Sequence, residues 1–490
     1  MTISEAKKKF TFDVGWVFAS TVMIFLLHFL QNPIMARYLG PDGFGLYSMV
    51  LIVASIISLI AGLGIDGAIG KYVAEHKDDV TRVHALFSSG LITTIVLGVI
   101  SSVVLFILSD TLASIFNMPL LSHLLKLYAL IFPFSLAYGV ILGLLNGLRE
   151  MKYYSLINAL QGFLTFSFIV ALLVVGFGVE GAVIGNMLAI IASTGIAILI
   201  MKNFTFFTLY KFKESSKKLT VFGSQLMLGN AINIINYQAD ILLIAYFLTA
   251  TDVGYYAVAV SLSRFFWRVP DSIQRVSFPT STEYWAKGKF DSLNKMIDKS
   301  MKYSACLLLI VGLGVWFFAE GIIVFLFGPA FFSAILPLRI LLIGTVLFSI
   351  FKTIGGTLPA IGRPDLGFMT NAIGAIANVV LNVLLIPRFG IAGAAIATIT
   401  SLIIIEILSV YFIIKLTKVA IDVKWYVSLF TITLLAMAAF SACSDWIGIY
   451  IFGSIILSIY AILIFMFFLT KEDKETFVGL IRSIVFREDK

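Results

Sequence analysis

Three arginines and one aspartate lie three or four residues apart in a single apolar stretch, at Arg264, Arg268, Asp271 and Arg275. Their spacing predicts one stripe along the face of a helix. Because each charge costs roughly 2.5–3.5 kcal/mol or more at the centre of a bilayer, the stripe must face a partner helix or a water-filled cavity. Arginine suits phosphate, since its planar fork donates paired hydrogen bonds at a permanent charge. Asp271 can neutralise only one neighbour, so the pattern favours the wall of an anion-binding cavity over a self-neutralised ladder of ion pairs.

Other ionisable residues lie singly in apolar stretches, at Asp240, Lys352 and Glu406. An ionisable residue at membrane depth is a functional candidate by default. Asp240 follows an amide-rich run that comprises Asn230, Asn233, Asn236 and Gln238. These amides indicate either a wet surface or hydrogen bonds that hold helices together. Arg37 ends the first apolar stretch, where it could contact a ligand or anchor the outer interface.

Pairing of charges across an internal repeat is a further hypothesis. Sliding the sequence by 209 residues brings Asp66 onto Arg275, while the first copy lacks the three arginines. The two side chains are therefore candidates for an ion pair that forms in only one of two conformations. The residues predicted to couple transport to an ion or to gate it are Asp66, Asp240, Asp271 and Glu406.

The elements that must position these residues are membrane-spanning helices. Hydrophobic residues make up 60% of the chain and charged residues 13%, and the mean hydropathy is +1.02. A spanning helix needs roughly 20 apolar residues to cross about 30 Å of hydrocarbon. About fourteen such stretches follow one another between Phe10 and Thr470. The composition predicts an all-α polytopic membrane protein.

Basic residues cluster on alternate connections between these stretches. Most of them fall at 7–9, 71–82, 149–152, 202–218, 287–302, 363, 415–424 and 471–490. The intervening connections hold only Arg37, Lys126 and Arg388. This alternation is typical of the positive-inside rule, which predicts cytoplasmic N- and C-termini and an even number of spans. The net charge of +8 therefore reports topology and does not indicate a nucleic-acid partner.

The chain repeats itself once. Residues 36–47 superpose on 245–256 without a gap, and residues 177–185 superpose on 389–397 at nearly the same offset. Six helices in each copy predict a parallel repeat about an axis along the membrane normal. The predicted organisation is an N-terminal six-helix lobe at 1–201, a basic cytoplasmic linker at 202–219, a C-terminal six-helix lobe at 220–415, and two extra helices with a cytoplasmic tail at 416–490.

No sequence pattern predicts catalytic residues or a metal site. Gly70-Lys71 lacks the glycine and the hydroxyl residue that a phosphate-binding loop requires, and the four histidines have no zinc spacing. The longest connections are Lys-rich and leave no room for a folded catalytic domain. A membrane glycan polymerase or ligase is therefore the less favoured alternative.

Two motifs carry a resemblance to a known family: the turn at Arg37–Tyr47 and the segment Phe389–Thr398. Over essentially its whole length the chain resembles the polysaccharide-transport, or O-antigen flippase, family of the multidrug/oligosaccharidyl-lipid/polysaccharide exporter superfamily. The resemblance implies two six-helix lobes in the cell membrane around a cavity that opens alternately to each side. It also implies a cargo of polyprenyl-phosphate- or diphosphate-linked oligosaccharide, and glycosyltransferases and a polymerase of the same pathway as partners.

Family members often line the cavity with arginines, and helical geometry assigns that role here to the stripe. The expected cargo-binding residues are Arg264, Arg268, Arg275, Lys352 and Arg37. No cofactor is expected, and an H⁺ or Na⁺ gradient or the membrane potential could drive transport. A multidrug cation antiporter of the same superfamily would prefer carboxylates in its cavity. A flippase for lipid II is an alternative that the sequence does not separate from other lipid-linked glycans.

Overall fold

The computed structural model describes residues 3–443, 448–471 and 473–475, and within them the chain is helical and has no strand. The α-helices in chain order are α1 Ile3–Gly62, α2 Ile65–Glu75, α3 Val80–Ile115, α4 Pro119–Tyr128, α5 Phe132–Leu148, α6 Met151–Val174, α7 Gly178–Met201, α8 Phe212–Phe247, α9 Ala250–Ser263, α10 Arg268–Ala286, α11 Phe290–Phe317, α12 Ala319–Phe327, α13 Ile335–Lys352, α14 Thr357–Ala360, α15 Pro364–Thr417, α16 Val423–Cys443 and α17 Ile449–Leu463. Short 3₁₀-helices span Ala129–Ile131, Arg264–Trp267 and Pro329–Ala334. The end of the predicted cytoplasmic tail lies outside the described residues.

Two of the helices are long enough to cross a bilayer twice. α1 has 60 residues and α15 has 54, and each is interrupted at a glycine with positive φ, Gly40 (66°) and Gly390 (58°). At about 1.5 Å per residue, either would greatly exceed the roughly 30 Å of a hydrocarbon core if it were straight. The left-handed conformation that breaks each helix is one that glycine adopts without a steric penalty.

Ten helical segments among the described residues are long and apolar enough to cross a membrane. Two stretches predicted to span the membrane, in α8 and in α9–α10, fall outside this set. Their amide and charged side chains lower the hydropathy below that of the other helices. The polytopic helical class is thus confirmed, and the count of fourteen stays a prediction.

The chain forms two compact units. Unit 1 comprises 1–258, 326–331 and 379–394, and unit 2 comprises 259–325, 332–378 and 395–490. The core of unit 1 is an apolar cluster of α2, α3 and α5, in which Ile69, Phe87 and Leu144 are buried. In unit 2, Phe317 of α11 stacks on Phe440 of α16 with ring centres 4.4 Å apart. The predicted lobe boundaries stay a prediction.

Within unit 2, residues 364–378 and 395–417 of α15 pack against each other. Asn378 donates a hydrogen bond to Ser401 at 3.2 Å. The backbone of Gly374 lies so close to Ile405 that a Cβ on the glycine would meet the isoleucine side chain at 2.1 Å. This close approach positions residues 401–409 beside the earlier half of the helix.

The internal repeat appears in unit 1 as a reciprocal contact between two equivalent turns. A Cβ on Gly45 would lie 1.8 Å from the carbonyl oxygen of Ala250, and one on Gly254 would lie 2.0 Å from that of Pro41. The offset of 209 residues relates Pro41 to Ala250 and Gly45 to Gly254. The glycine of each turn therefore packs against a backbone carbonyl of the other turn. Such a reciprocal contact is the local geometry of a two-fold axis.

Any side chain larger than glycine should weaken this contact. We expect Gly45→Ala to lower the melting temperature of the purified protein by about 1–3 °C, because the new methyl group must displace backbone at a cost of about 1–3 kcal/mol. Gly195→Ala is the matched control, since Gly195 lies in α7 with no atom within 4 Å of its Cβ position. Equal melting temperatures for the two variants would contradict the close packing of the turns.

Candidate functional site

The arginine stripe begins at a break in the helix. The one helix predicted to carry the stripe is interrupted, because a 3₁₀-turn at Arg264–Trp267 separates α9 from α10. Pro270 explains the break, since it has no N–H to donate to the carbonyl of Phe266 and its ring crowds that carbonyl. A 3₁₀-turn has about 3.0 residues per turn in place of about 3.6. Arg264 is therefore rotated away from the face that the other members of the stripe share.

The other three members of the stripe all lie in α10, with different exposure. Arg268, Asp271 and Arg275 keep their spacing of three and four residues within one continuous α-helix. The two arginines are exposed, whereas Asp271 is half-buried. The common face predicted from the sequence thus holds for these three residues.

Lys352, the last residue of α13, meets the stripe through an ion pair. Its Nζ lies 2.8 Å from Oδ1 of Asp271, and the side chains are 19% and 41% exposed. The backbone carbonyl of Lys352 also accepts a hydrogen bond from the Gln274 side chain. Two residues of α10 therefore hold the end of α13. The Lys352 side chain is less exposed than that of Asp271.

The ring of Trp267 contacts two cationic side chains. The guanidinium carbon of Arg264 lies 5.3 Å from the centre of the Trp267 ring, and Nζ of Lys352 lies 5.4 Å from it. Lys352 is also 5.7 Å from the ring of Phe348. An aromatic face attracts a cation through its quadrupole, most strongly where water is scarce. The indole thus contacts two positive groups without neutralising either of them.

A wall of apolar side chains supports this arrangement. Trp267 packs against the buried cluster of Phe348, Leu402 and Ile405. Glu406, next along α15, is only 7% exposed and interacts electrostatically with Lys352. A buried carboxylate is costly unless a positive group is close by. Lys352 therefore interacts with two carboxylates, one buried and one half-exposed.

We call Arg264, Trp267, Asp271, Lys352 and Glu406 the Trp267 cluster. It brings together four residues predicted from the sequence, namely Arg264, Asp271, Lys352 and Glu406. Its positive members converge on one ring, and Arg268 and Arg275 are exposed on the adjoining helix. The arrangement can bind an anion that exchanges with a carboxylate at Lys352. Among the described residues, no group of three or more His, Cys, Asp or Glu side chains could hold a metal ion.

Asp240 is engaged within unit 1. Its carboxylate accepts a hydrogen bond from the Tyr256 hydroxyl at 2.8 Å and one from the backbone N–H of Ile241 at 2.9 Å. Both side chains are almost completely buried. Nearby on α8, Gln238 accepts a hydrogen bond from Ser55 of α1 at 2.7 Å. One part of the amide-rich run therefore links helices, as the packing interpretation of these amides predicts.

Arg37 and Asp66 lie elsewhere in unit 1. Arg37 donates a hydrogen bond from Nε to the backbone carbonyl of Leu326, at 2.9 Å, and its side chain is exposed. Asp66 is an exposed residue in the first turn of α2. The pair between Asp66 and Arg275 stays a prediction, as do the binding and coupling roles of all the named residues.

Sequence reasoning missed the aromatic and amide members of these sites. The contact of Trp267 with Arg264 could have been predicted, because Trp267 lies three residues after Arg264 and thus about one helical turn away. Tyr256 also carried a signal, because the repeat superposes it on Tyr47. Gln274 and Phe348 carried no signal, since their roles depend on how α10 and α13 meet.

Three known proteins illustrate what the chain is similar to. The probable flippase AglR of Haloferax volcanii is 27% identical over 76% of this chain and 76% of its own length. The succinoglycan biosynthesis transport protein ExoT of Rhizobium meliloti is 25% identical over 77% of this chain and 74% of its own length. A solved structure of the lipid II flippase MurJ superposes with a TM-score of 0.75 over 95% of this chain and 99% of that chain, at 15% identity. This last likeness shows the fold.

Family models match the chain in two overlapping regions. Residues 10–285, more than half of the chain, match the polysaccharide biosynthesis protein family, and residues 226–384 match the MatE family. The second region contains the 3₁₀-turn, α10 and Lys352. The resemblance that the sequence motifs indicated is confirmed. The chain belongs to the polysaccharide biosynthesis protein family of the multidrug/oligosaccharidyl-lipid/polysaccharide exporter superfamily.

Proposed function

We propose that this protein is a flippase that moves polyprenyl-phosphate- or diphosphate-linked oligosaccharide from the cytoplasmic to the outer leaflet by alternating access. The cargo would serve the assembly of cell-surface polysaccharide or glycan. Relatives named as a probable flippase and as a succinoglycan transport protein support this function. The observation that carries it is the convergence of Arg264 and Lys352 on Trp267, inside a chain built from membrane-spanning helices.

The cationic residues would recognise the phosphate groups. A guanidinium donates two parallel hydrogen bonds to phosphate, and a lysine acts as a point charge. The sugar and phosphates would pass through the polar region while the polyprenyl tail stays in the bilayer. Asp271 would act as the counter-ion of Lys352 when no cargo is bound. A phosphate that binds Lys352 must compete with this carboxylate, which keeps the affinity modest and allows release.

The protein would work without a chemical step, in the cell membrane, with both termini in the cytoplasm. Glycosyltransferases and a polymerase of the same pathway would supply and consume its cargo. A liposome assay with the purified protein and a labelled lipid-linked oligosaccharide tests this. Movement between leaflets with an unchanged mass supports the flippase, whereas bond formation would support a polymerase or ligase. Preferred transport of lipid II or of a cationic drug would support the other transporters of the superfamily.

Removal of the Lys352 charge should weaken cargo binding. We expect Lys352→Gln to reduce affinity for a short-chain polyprenyl diphosphate about tenfold, because loss of one charged contact costs about 1.4 kcal/mol or more. Lys352→Arg should retain most of the affinity. The control is Lys415→Gln, which removes a lysine that lies 5.8 Å from the Tyr411 ring outside the cluster. Binding can be measured by equilibrium dialysis, and an unchanged affinity in Lys352→Gln would exclude Lys352 from the site.

Removal of the competing carboxylate should have the opposite effect. We expect Asp271→Asn to bind the same ligand about two- to fivefold more tightly, since a partly exposed ion pair is worth up to about 1 kcal/mol. Asp365→Asn is the control, because Asp365 forms an exposed ion pair with Arg363 at 2.8 Å. If Asp271→Asn instead binds as weakly as Lys352→Gln, the pair is a structural unit and not an exchangeable counter-ion.

A buried carboxylate could couple transport to an H⁺ or Na⁺ gradient, and Asp240 is the candidate that is hydrogen-bonded in unit 1. We expect Asp240→Asn to abolish the dependence of transport on the gradient while some gradient-independent exchange persists. Tyr256→Phe is the companion variant, because it removes one hydrogen bond and keeps the carboxylate. If transport by Asp240→Asn in proteoliposomes still responds to the gradient, the coupling group is another residue, such as Glu406 or Asp66, or the membrane potential drives transport.

A further inference from the structure

A basic groove lies on unit 1 where the end of α2, the start of α3 and the start of α8 meet. It consists of two adjoining depressions of about 280 Å³ and about 470 Å³, which share Glu214 and Lys218. The first depression also contains Arg82, and the second contains Lys217. We call these two depressions the α8 groove.

Two lysines at the α8 groove are held over one tyrosine ring. Nζ of Lys71 is 4.3 Å from the ring centre of Tyr72, and Nζ of Lys218 is 4.1 Å from the same centre. Phe222 packs edge-on against Tyr72 and also contacts Lys71 at 4.4 Å. The buried Tyr72 ring thus contacts two positively charged groups. Such a contact attracts an ammonium group without neutralising its charge.

The carboxylates around the groove are engaged by other groups. Glu75 is 3.8 Å from Lys71, and Glu214 is 3.6 Å from Lys211. The Asp79 side chain accepts a hydrogen bond from the backbone N–H of Arg82. In the part of the chain that the structure describes, no carboxylate lies within ion-pair distance of Lys217 or Lys218. The groove therefore has an excess of positive charge.

Large apolar side chains are exposed beside this charge. Phe206, Phe207, Leu209 and Tyr210 are each more than half exposed. The segment that carries them is held against α3, because the backbone N–H of Phe206 donates to His84 at 3.3 Å and that of Thr208 donates to Ser88 at 3.0 Å. Aromatic residues next to lysines are typical of segments at the boundary between headgroups and acyl chains.

We propose that the α8 groove binds the phosphate of an anionic membrane lipid. Lys217, Lys218 and Arg82 surround the phosphate, and the exposed residues of 206–210 insert beside the acyl chains. Polybasic segments next to a membrane bind anionic headgroups in this way. The groove would hold a structural or regulatory lipid on the side that the charge asymmetry predicts to be cytoplasmic. This inference does not depend on the proposed transport function.

The test uses the full-length protein, purified in detergent and stripped of lipid. Phosphatidylglycerol, phosphatidylcholine, inorganic phosphate and pyrophosphate are added separately, and bound lipid and melting temperature are measured. The test variant is Lys217→Gln/Lys218→Gln. The matched control is Lys202→Gln/Lys213→Gln, which removes two exposed lysines from the same region without touching either depression.

We expect phosphatidylglycerol, and not phosphatidylcholine, to bind and to raise the melting temperature. The affinity should fall about tenfold in the test variant and by less than about twofold in the control. Lys217→Arg/Lys218→Arg should retain binding, which separates loss of charge from misfolding. An equal loss in both glutamine variants would show only general surface attraction and overturn the site. A response to inorganic phosphate or pyrophosphate as strong as that to phosphatidylglycerol would overturn the assignment to a lipid.

Discussion

The cost of placing charge among apolar helices is the constraint from which the rest of the candidate site follows. Lys352 satisfies it through an ion pair with Asp271, an electrostatic interaction with the buried Glu406 and a contact with the ring of Trp267. Removal of Asp271 leaves the charge of Lys352 less compensated. The neighbouring structure adapts to this requirement. The carbonyl of Lys352 is held by Gln274, and the wall behind Trp267 is apolar.

A site of this kind can bind an anion without binding it irreversibly. In the proposed function, Asp271, which is more exposed than the buried Glu406, gives up its ion pair with Lys352 to the phosphate of the cargo. Arg264 contributes charge through the same indole ring. Because its guanidinium belongs to a 3₁₀-turn, its position depends on the Pro270 break. A regular helix at this point would return Arg264 to the face of α10 that carries Arg268 and Arg275.

The two copies of the repeat share the residues at which their backbones meet. They differ in the polar and charged residues that are functional candidates. Gly45 and Gly254 are equivalent, and each contacts the turn of the other copy. Both positions require glycine, because any Cβ there would overlap a carbonyl oxygen. Tyr47 and Tyr256 are also equivalent, yet the second copy has Asp240 where the first has Gln31. Likewise Ser55 of the first copy corresponds to Arg264 of the second. The duplicated scaffold thus carries an asymmetric distribution of charge.

Much about this protein could be predicted from the order of its residues alone. Apolar stretches of spanning length determine the polytopic helical class, because the backbone must satisfy its hydrogen bonds internally in lipid. The motifs at Arg37–Tyr47 and Phe389–Thr398 identified the family. Helical spacing correctly placed Arg268, Asp271 and Arg275 on one face, since all three lie within about two turns of α10. Only the tertiary structure decided that Lys352 is the residue that Asp271 neutralises, that Trp267 joins it to Arg264, and that Asp240 pairs with Tyr256. Periodicity relates residues a few positions apart on one helix, whereas the partner of a charge on another helix depends on which faces pack together.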